Sequence, residues 1–361
     1  MFYGIDLSKE SFKAALLKKD SDELRMISCN LHGEAFERFK AQLTEEDYVA
    51  VEASTNTFWF VEQIKGLVKE CFVLDPFKLS IIYRANKKTD KTDAQKIAHK
   101  LKYHILYDPS GSEFPSIYIP SKEIQELRSL LTTYEMLKKE LVMTKNRIRS
   151  ILTQNGFFGL KSKDISLLKN QQIISSLPLP LTAHEQIEML FESLNKKEKN
   201  IKRIKEIAIA QSSSFQHEID ILTSIKGISP FAAVVIMADI ADIHRFKNAK
   251  HFCSYLRAAP KVDASGDSTK IGKVNKHSRH ITMSILVESI LHFRQSSPRL
   301  NAFYERKAAG KSRGKVRIAV VRKVLVAIFH MLSRDEYFRD MDIHNHDSKM
   351  REYGKIIKKA A

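Results

Sequence analysis

Phe2-Tyr-Gly-Ile-Asp-Leu-Ser-Lys-Glu-Ser-Phe-Lys-Ala-Ala-Leu-Leu17 decides the fold of the first part of this chain. Two apolar runs, 2–7 and 12–17, flank a short polar stretch, which predicts an antiparallel hairpin. Beyond it, 35–43 has helical spacing. Tyr48-Val-Ala-Val-Glu52 is a continuous apolar run, the pattern of a strand buried on both faces. A second helix is expected over 58–68, a strand over 71–74, a break at Pro76 and a helix over 90–103. A hairpin followed by β-α units predicts a mixed α/β sheet. Ligand groups in such sheets gather at strand ends, so Asp6 and Glu52 are expected side by side.

Asp90 and Asp93 lie in Lys88-Thr-Asp-Lys-Thr-Asp-Ala94. Residues at i and i+3 share a helix face, and two like charges there repel unless a cation sits between them. Lys87, Lys88 and Lys91 could supply it, and so could a metal ion. Hard divalent cations take oxygen ligands, and a pair of them can stabilise both the attacking and the leaving oxygen of a phosphoryl transfer. Each residue also has a plainer reading: Asp90 as a helix cap, Asp6 as a turn residue.

With 361 residues, 43% hydrophobic content and a mean hydropathy of -0.28, the chain is long enough for two or three folded domains. Its net charge of +18 points to a polyanionic partner, nucleic acid before an anionic membrane. Residues 241–361 hold 26 Lys or Arg against 11 Asp or Glu, so the basic footprint and the acidic residues fall in different parts of the chain. Cys29, Cys71 and Cys253 are scattered, which argues for a reducing compartment and against a disulfide framework or zinc knuckle. His277, His280 and His292 have no zinc-like spacing. No apolar run approaches the ~20 residues of a membrane span, and the start lacks a signal-peptide pattern. A cytoplasmic protein is expected.

After turn residues at 108–115, a long helical seam steps through Leu127, Leu130, Tyr134, Leu137, Leu141, Thr144, Ile148 and Ile151. A second runs through Ile187, Leu190, Leu194, Ile201, Ile204, Ala208, Phe215 and Leu222, weakened by Lys197 and Gln211. Two such seams predict an antiparallel helical hairpin or a dimer-forming coiled coil; two ordinary amphipathic helices in one core are the plain alternative. Thr223-Ser-Ile-Lys-Gly-Ile-Ser-Pro230 reads as helix, tight glycine turn, helix. Such a turn could offer N–H groups to a phosphate or simply connect two helices. A basic, glycine-punctuated loop spans 260–280, followed by helices over 281–293 and 315–332. The polar tail from Asp335 is expected to fray.

Ser265 lies in that basic loop. It is either a turn former or a nucleophile toward a DNA phosphate, with Lys270, Lys273, Lys276 and Arg279 neutralising phosphate oxygens. Ser268 competes with it. The lysine and arginine cluster could also be only a solvated face, although the charge excess favours phosphate contact. Trp59, with Phe58 and Phe60, reads as core.

Gly4-Ile-Asp-Leu-Ser-Lys, Val51-Glu-Ala-Ser and Lys88-Thr-Asp-Lys-Thr-Asp-Ala resemble, in order and spacing, the RuvC-like (RNase H-like) domain of the DEDD transposases. These form the bacterial insertion-sequence family called one-ten, related to the Piv-type DNA invertases. Ile225-Lys-Gly-Ile-Ser-Pro, Phe246-Lys-Asn-Ala-Lys-His-Phe-Cys-Ser-Tyr-Leu, and Ala264-Ser-Gly followed by Gly272-Lys-Val-Asn-Lys-His-Ser-Arg-His resemble the family's C-terminal half. Asn275 and Ser278 depart from it, standing where Ser or Thr, and Gly, are common. The resemblance implies a recombinase that cuts and rejoins donor and target DNA, directed by a structured guide (bridge) RNA. It implies Mg²⁺ bound by Asp6, Glu52, Asp90 and Asp93, and Ser265 joined covalently to the cleaved strand. It further implies dimers that assemble into a tetramer, with the two half-sites drawn from different subunits, and a bacterial, nucleoid-associated setting.

The expected organisation is therefore an α/β RuvC-like domain over 1–118, a helical coiled-coil dimerisation region over 119–222, a mostly α transposase domain over 223–335 and a tail over 336–361. The competing functions are a RuvC-like, metal-dependent nuclease such as a junction resolvase, a Piv-type invertase, and a non-catalytic nucleic-acid-binding protein.

Overall fold

The computed structural model describes residues 1–82, 90–109, 114–265, 268–274 and 281–360. It divides into two compact units, Met1–Pro120 and Ser121–Ala361.

The first unit is built on a six-stranded sheet of order β3-β2-β1-β4-β5-β6. The strands are β1 (Phe2–Leu7), β2 (Ser11–Leu17), β3 (Leu24–Asn30), β4 (Tyr48–Glu52), β5 (Glu70–Leu74) and β6 (Ser116–Ile117). β1 to β3 form an antiparallel meander, whereas β1, β4 and β5 run parallel. The parallel pairs require crossovers, and α1 (Glu34–Ala41) and α2 (Thr57–Ile64) supply them on one face. There Phe12, Phe36, Phe39 and Phe60 bury their rings with Ile5, Val49 and Val51. The other face is covered mainly by α4 (Asp90–Tyr107), which follows the short α3 (Pro76–Ile82). Ala94, Ile97, Ala98 and Leu101 of α4 pack there on Phe2, Ala15 and Ala50. The mixed α/β sheet expected from the opening stretch is thus present. β3 was not expected: it is an edge strand with one fully buried residue, Cys29, and its polar lead-in masks the period-2 pattern. Trp59 corrects another expectation. It stacks on Phe36 but is 45% exposed, and only Phe60 of the aromatic trio is fully buried.

In the second unit, α5 (Lys122–Gln154) and α8 (Leu181–Ala210) form an antiparallel hairpin, joined through α6 (Ser162–Ile165) and α7 (Leu168–Ser175). Ser121 caps α5 by accepting from the Ile124 N–H. Leu127, Tyr134, Ile148 and Ile151 of the first seam are buried, as are Ile187, Leu194, Ile204 and Ala208 of the second. The second seam does not run on to Leu222. A 3-10 turn at Ser213–Phe215 ends it, and α9 (Gln216–Thr223) starts afresh.

The base of the hairpin packs with α9, α10 (Pro230–Ile240), α11 (Ala249–Tyr255), α12 (Ile281–Glu288), α13 (Ile290–Ser296) and α15 (Arg313–Arg334) in the largest core. α14 (Pro298–Ala308) packs on α15. Every residue of α10 is buried, matching a run that is apolar except for Asp239. The turn before it favours the connector reading: Gly227 has φ +102°, and a Cβ there would lie 2.8 Å from His292 Cβ.

Two further expectations are corrected. The basic stretch after Pro260 is not a plain loop, because β7 (Pro260–Ser265) and β8 (Ser268–Val274) pair antiparallel. Val262 opposite Ile271 and Ala264 opposite Thr269 supply strand-forming positions between the lysines. The tail does not fray: α16 (Ile343–Ala360) docks on α8, α9 and α10. Tyr353 is 2% exposed and its hydroxyl donates to the Ser212 carbonyl at 3.1 Å. Lys349 Nζ donates to the carbonyls of Thr223 and Ile225 at 2.8 and 3.0 Å, closing the end of α9. A polar composition concealed one apolar stripe, Met350, Tyr353, Ile356 and Ile357.

Candidate functional site

Parallel pairing of β1 with β4 runs from Phe2 opposite Tyr48 to Ile5 opposite Val51. The same register carries Asp6 to Glu52, so the two carboxylates stand at neighbouring strand ends, both half-buried. The chain after Glu52 is pinned. Thr57 Oγ1 donates to the Glu52 carbonyl at 3.0 Å, and Asn56 Nδ2 donates to the Ser8 carbonyl at 3.0 Å. Asn56 thereby ties the end of β4 to the turn after β1.

α4 brings the third carboxylate. Its later part lies over the start of β1, where Lys102 Nζ donates to the Ser21 carbonyl at 3.0 Å and pairs with Asp22 at 2.9 Å. Ala94 and Ala98 cross Gly4. From Ala98 back to Asp93 is about 7.5 Å along a helix, and from Gly4 on to Asp6 is about 6.6 Å along a strand. Asp93 therefore sits at the Asp6 end of β1. It is half-buried, and Lys96 Nζ donates to its Oδ1 at 3.2 Å. The side chain of Asp90 lies outside the described residues. Among the described residues, no group of three or more His, Cys, Asp or Glu stands assembled to hold a metal. The donor set at this edge is nonetheless all carboxylate oxygen, the chemistry that suits a hard divalent cation.

In the second unit, Ser265 is the last residue of β7 and pairs with Ser268, the first of β8. The two candidate serines therefore stand opposite one another in the backbone register at the end of the β7–β8 pair. Lys270 stands opposite Asp263 in the backbone register, and Lys273 lies farther along β8. The side chains of Ser265, Lys270 and Lys273, and Lys276 and Arg279 entirely, lie outside the described residues.

Comparison with known proteins joins these two halves. Residues 3–156 match the transposase family profile DEDD_Tnp_IS110, and residues 219–305 match that of the Transposase IS116/IS110/IS902 family. The chain belongs to the IS110 family of transposases. Together the two stretches make up more than half of it, and they contain the acidic edge and the β7–β8 hairpin. The sheet order, a meander on one side of β1 and parallel strands on the other, accords with the RuvC-like fold that a DEDD domain implies. The transposase is 24% identical over 266 residues to the transposase for insertion sequence element IS1533 of Leptospira borgpetersenii, covering 69% of this chain and 72% of that one. It is 19% identical over 265 residues to the transposase for insertion sequence element IS1111A of Coxiella burnetii, covering 71% and 70%.

One basic surface escaped the sequence reading. From 306 to 334 the transposase has nine Lys or Arg and no Asp or Glu. The elbow between α14 and α15 exposes Arg306, Lys311, Arg313, Lys315 and Arg317. Arg306, Lys307 and Lys323 surround the Phe303 ring at 5.8, 6.0 and 5.6 Å. Among the described residues, none of these cations forms an ion pair with an acid. The signal was present as an acid-free run, but helical periodicity presented it as an ordinary amphipathic helix. No helix among the described residues is long and apolar enough to cross a membrane.

Proposed function

We propose that this transposase cuts and rejoins the DNA of an insertion sequence through a covalent serine–DNA link. The observation that carries the acidic half is the adjacency of Asp6 and Glu52 on parallel strands, with Asp93 brought to the same edge by α4. Asp6, Glu52, Asp90 and Asp93 would hold Mg²⁺. The ion's chemistry when bound is to draw charge from a phosphate and favour loss of a proton from the attacking oxygen.

The serine half rests on the motif resemblance around Ser265 and on its place at the hairpin end. Ser265 Oγ attacks the phosphorus of a DNA phosphodiester. An Oγ–P bond forms, the P–O bond to the leaving strand breaks, and the serine proton passes to the leaving oxygen. The reverse step, with a hydroxyl of the incoming strand, restores the serine. Because one phosphoester replaces another, rejoining needs no external energy source. Lys270, Lys273, Lys276 and Arg279, with the α14–α15 elbow, neutralise phosphates. Direction by a structured guide RNA, and assembly of dimers into a tetramer, belong to the same proposal and rest on the family resemblance alone.

The test is to mix transposase, RNA transcribed from its gene's flanks and element-end DNA, and to resolve the products on a denaturing gel. A protein–DNA adduct is expected, lost in Ser265→Ala and kept in Ser268→Ala. Asp6→Asn and Asp93→Asn are expected to abolish cleavage while nucleic-acid binding persists, and EDTA to do the same. An adduct in Ser265→Ala would remove the assigned nucleophile. Free ends with no adduct at any time would instead establish a RuvC-like nuclease.

A further inference from the structure

Asp239 is a carboxylate with no solvent exposure, set in a helix whose other residues are apolar apart from its capped start. Burying a charge without compensation costs several kcal/mol, so its surroundings show what it serves. Its Oδ2 accepts from both the backbone N–H and the hydroxyl of Thr282, at 3.2 and 2.7 Å. Thr282, itself fully buried, is the second residue of α12. Asp239 thus caps α12 from a different helix, and a negative charge is favoured at a helix start. The carboxylate also acts electrostatically on the guanidinium of Arg257. Arg257 holds a left-handed backbone, φ 62°, just before Pro260 begins β7. Arg128 of α5 fixes the other side of the same helix turn, donating to the Ala238 and Asp239 carbonyls at 2.7 and 3.2 Å.

Arg257 and Thr282 are the two ends of the segment that contains the β7–β8 hairpin. One buried carboxylate therefore bonds the chain where it leaves this segment, at Thr282, and acts electrostatically on Arg257 where the chain enters it. Loss of this carboxylate would leave the buried Thr282 N–H and hydroxyl without an acceptor, so the charge is tied to the start of α12, where the chain leaves the hairpin segment. We propose that Asp239 is a positioning residue that clamps both feet of the β7–β8 hairpin and so sets where Ser265 is presented. The part concerning Ser265 rests on the reading given under Proposed function.

The experiment is hydrogen–deuterium exchange on the full-length transposase, with the adduct assay run in parallel. Asp239→Asn keeps the shape and removes the charge. Thr282→Val keeps the shape and removes the hydroxyl, and Thr282→Ser restores it. In the first two variants, amides of β7, β8 and the first turn of α12 are expected to exchange roughly tenfold faster or more, the scale of one charge-assisted hydrogen bond. The α5–α8 hairpin and the whole first unit should exchange at wild-type rates. Adduct formation should fall by a similar factor with nucleic-acid binding retained, and Thr282→Ser should recover both. Wild-type exchange across 260–274 in both variants would overturn the proposal. So would a uniform rise across the second unit, which marks a purely structural role, or loosened exchange with undiminished adduct. Ser265→Ala separates the two readings. If it still forms adduct, the nucleophile assignment fails, while the exchange measurement still decides whether Asp239 clamps the hairpin.

Discussion

Gly4 and Ala98 fix the distance between β1 and α4. A Cβ on Gly4 would lie 2.2 Å from the Ala98 backbone nitrogen and 2.3 Å from the Ala94 carbonyl oxygen. The atoms in the way are helix backbone, which cannot swing aside as a side chain could. Glycine at this point lets the helix bearing Asp90 and Asp93 approach the strand bearing Asp6.

Gly4→Ala must therefore push α4 off the sheet. Overpacking of this kind costs about 1–3 kcal/mol, so the urea midpoint should fall. Strand cleavage should fall further than stability, because Asp93 moves away from Asp6 and Glu52. Divalent-ion binding followed by calorimetry would weaken in step.

The tail helix is structural. Tyr353→Ala is expected to cost about 3–5 kcal/mol, the scale of an emptied aromatic site. Tyr353→Phe, which loses only the hydroxyl's bonds to the Ser212 carbonyl and hydroxyl, should cost about 1 kcal/mol. Chemical denaturation of the full chain distinguishes the two, and a tail that contributes nothing would leave both variants at the wild-type midpoint.

Lys349 gives stability a specific pH dependence. Burial pulls its ammonium down from 10.5 to about 8. Between those values the folded chain has released the proton while the unfolded chain still holds it, so this lysine makes stability rise with pH across that window. Burial raises Cys71 from 9.0 to about 12, which acts in the opposite sense above pH 9. Cys71 is common to wild type and Lys349→Gln, so it cancels in their difference. The gap in unfolding free energy between the two proteins should change in favour of wild type from pH 8 to 10.

The α14–α15 elbow should bind phosphate backbone without reading sequence. Arg313→Ala combined with Arg317→Ala is expected to weaken binding to unrelated B-DNA duplexes about equally. The slope of log affinity against log salt should shrink by about 0.9 for each phosphate that the variant no longer neutralises. Fluorescence anisotropy over a salt series measures both, and an unchanged slope would remove the elbow from the interface.

Much of the acidic edge was legible because it is local. Apolar runs of strand length placed Asp6 and Glu52 at strand ends, and a three-residue spacing put Asp90 and Asp93 on one helix face. The basic half was less so. Lysines interleaved with Val262, Ile271 and glycines read as loop, although the alternation was enough for a hairpin once the strands could pair. In the tail, four apolar residues among many charged ones formed a stripe that needed α8 to α10 as a surface.

By itself the sequence determined the strands β1, β2, β4 and β5, the long helices α5 and α8, and the family motifs that they and their neighbours carry. These follow from periodicity and residue chemistry within a few turns of chain. Only the tertiary structure decided that Gly4 is the point of closest approach, that the tail is part of the core, and that Asp239 caps α12 through Thr282. Each depends on what covers a given face, and that partner lies tens of residues or more away in the chain.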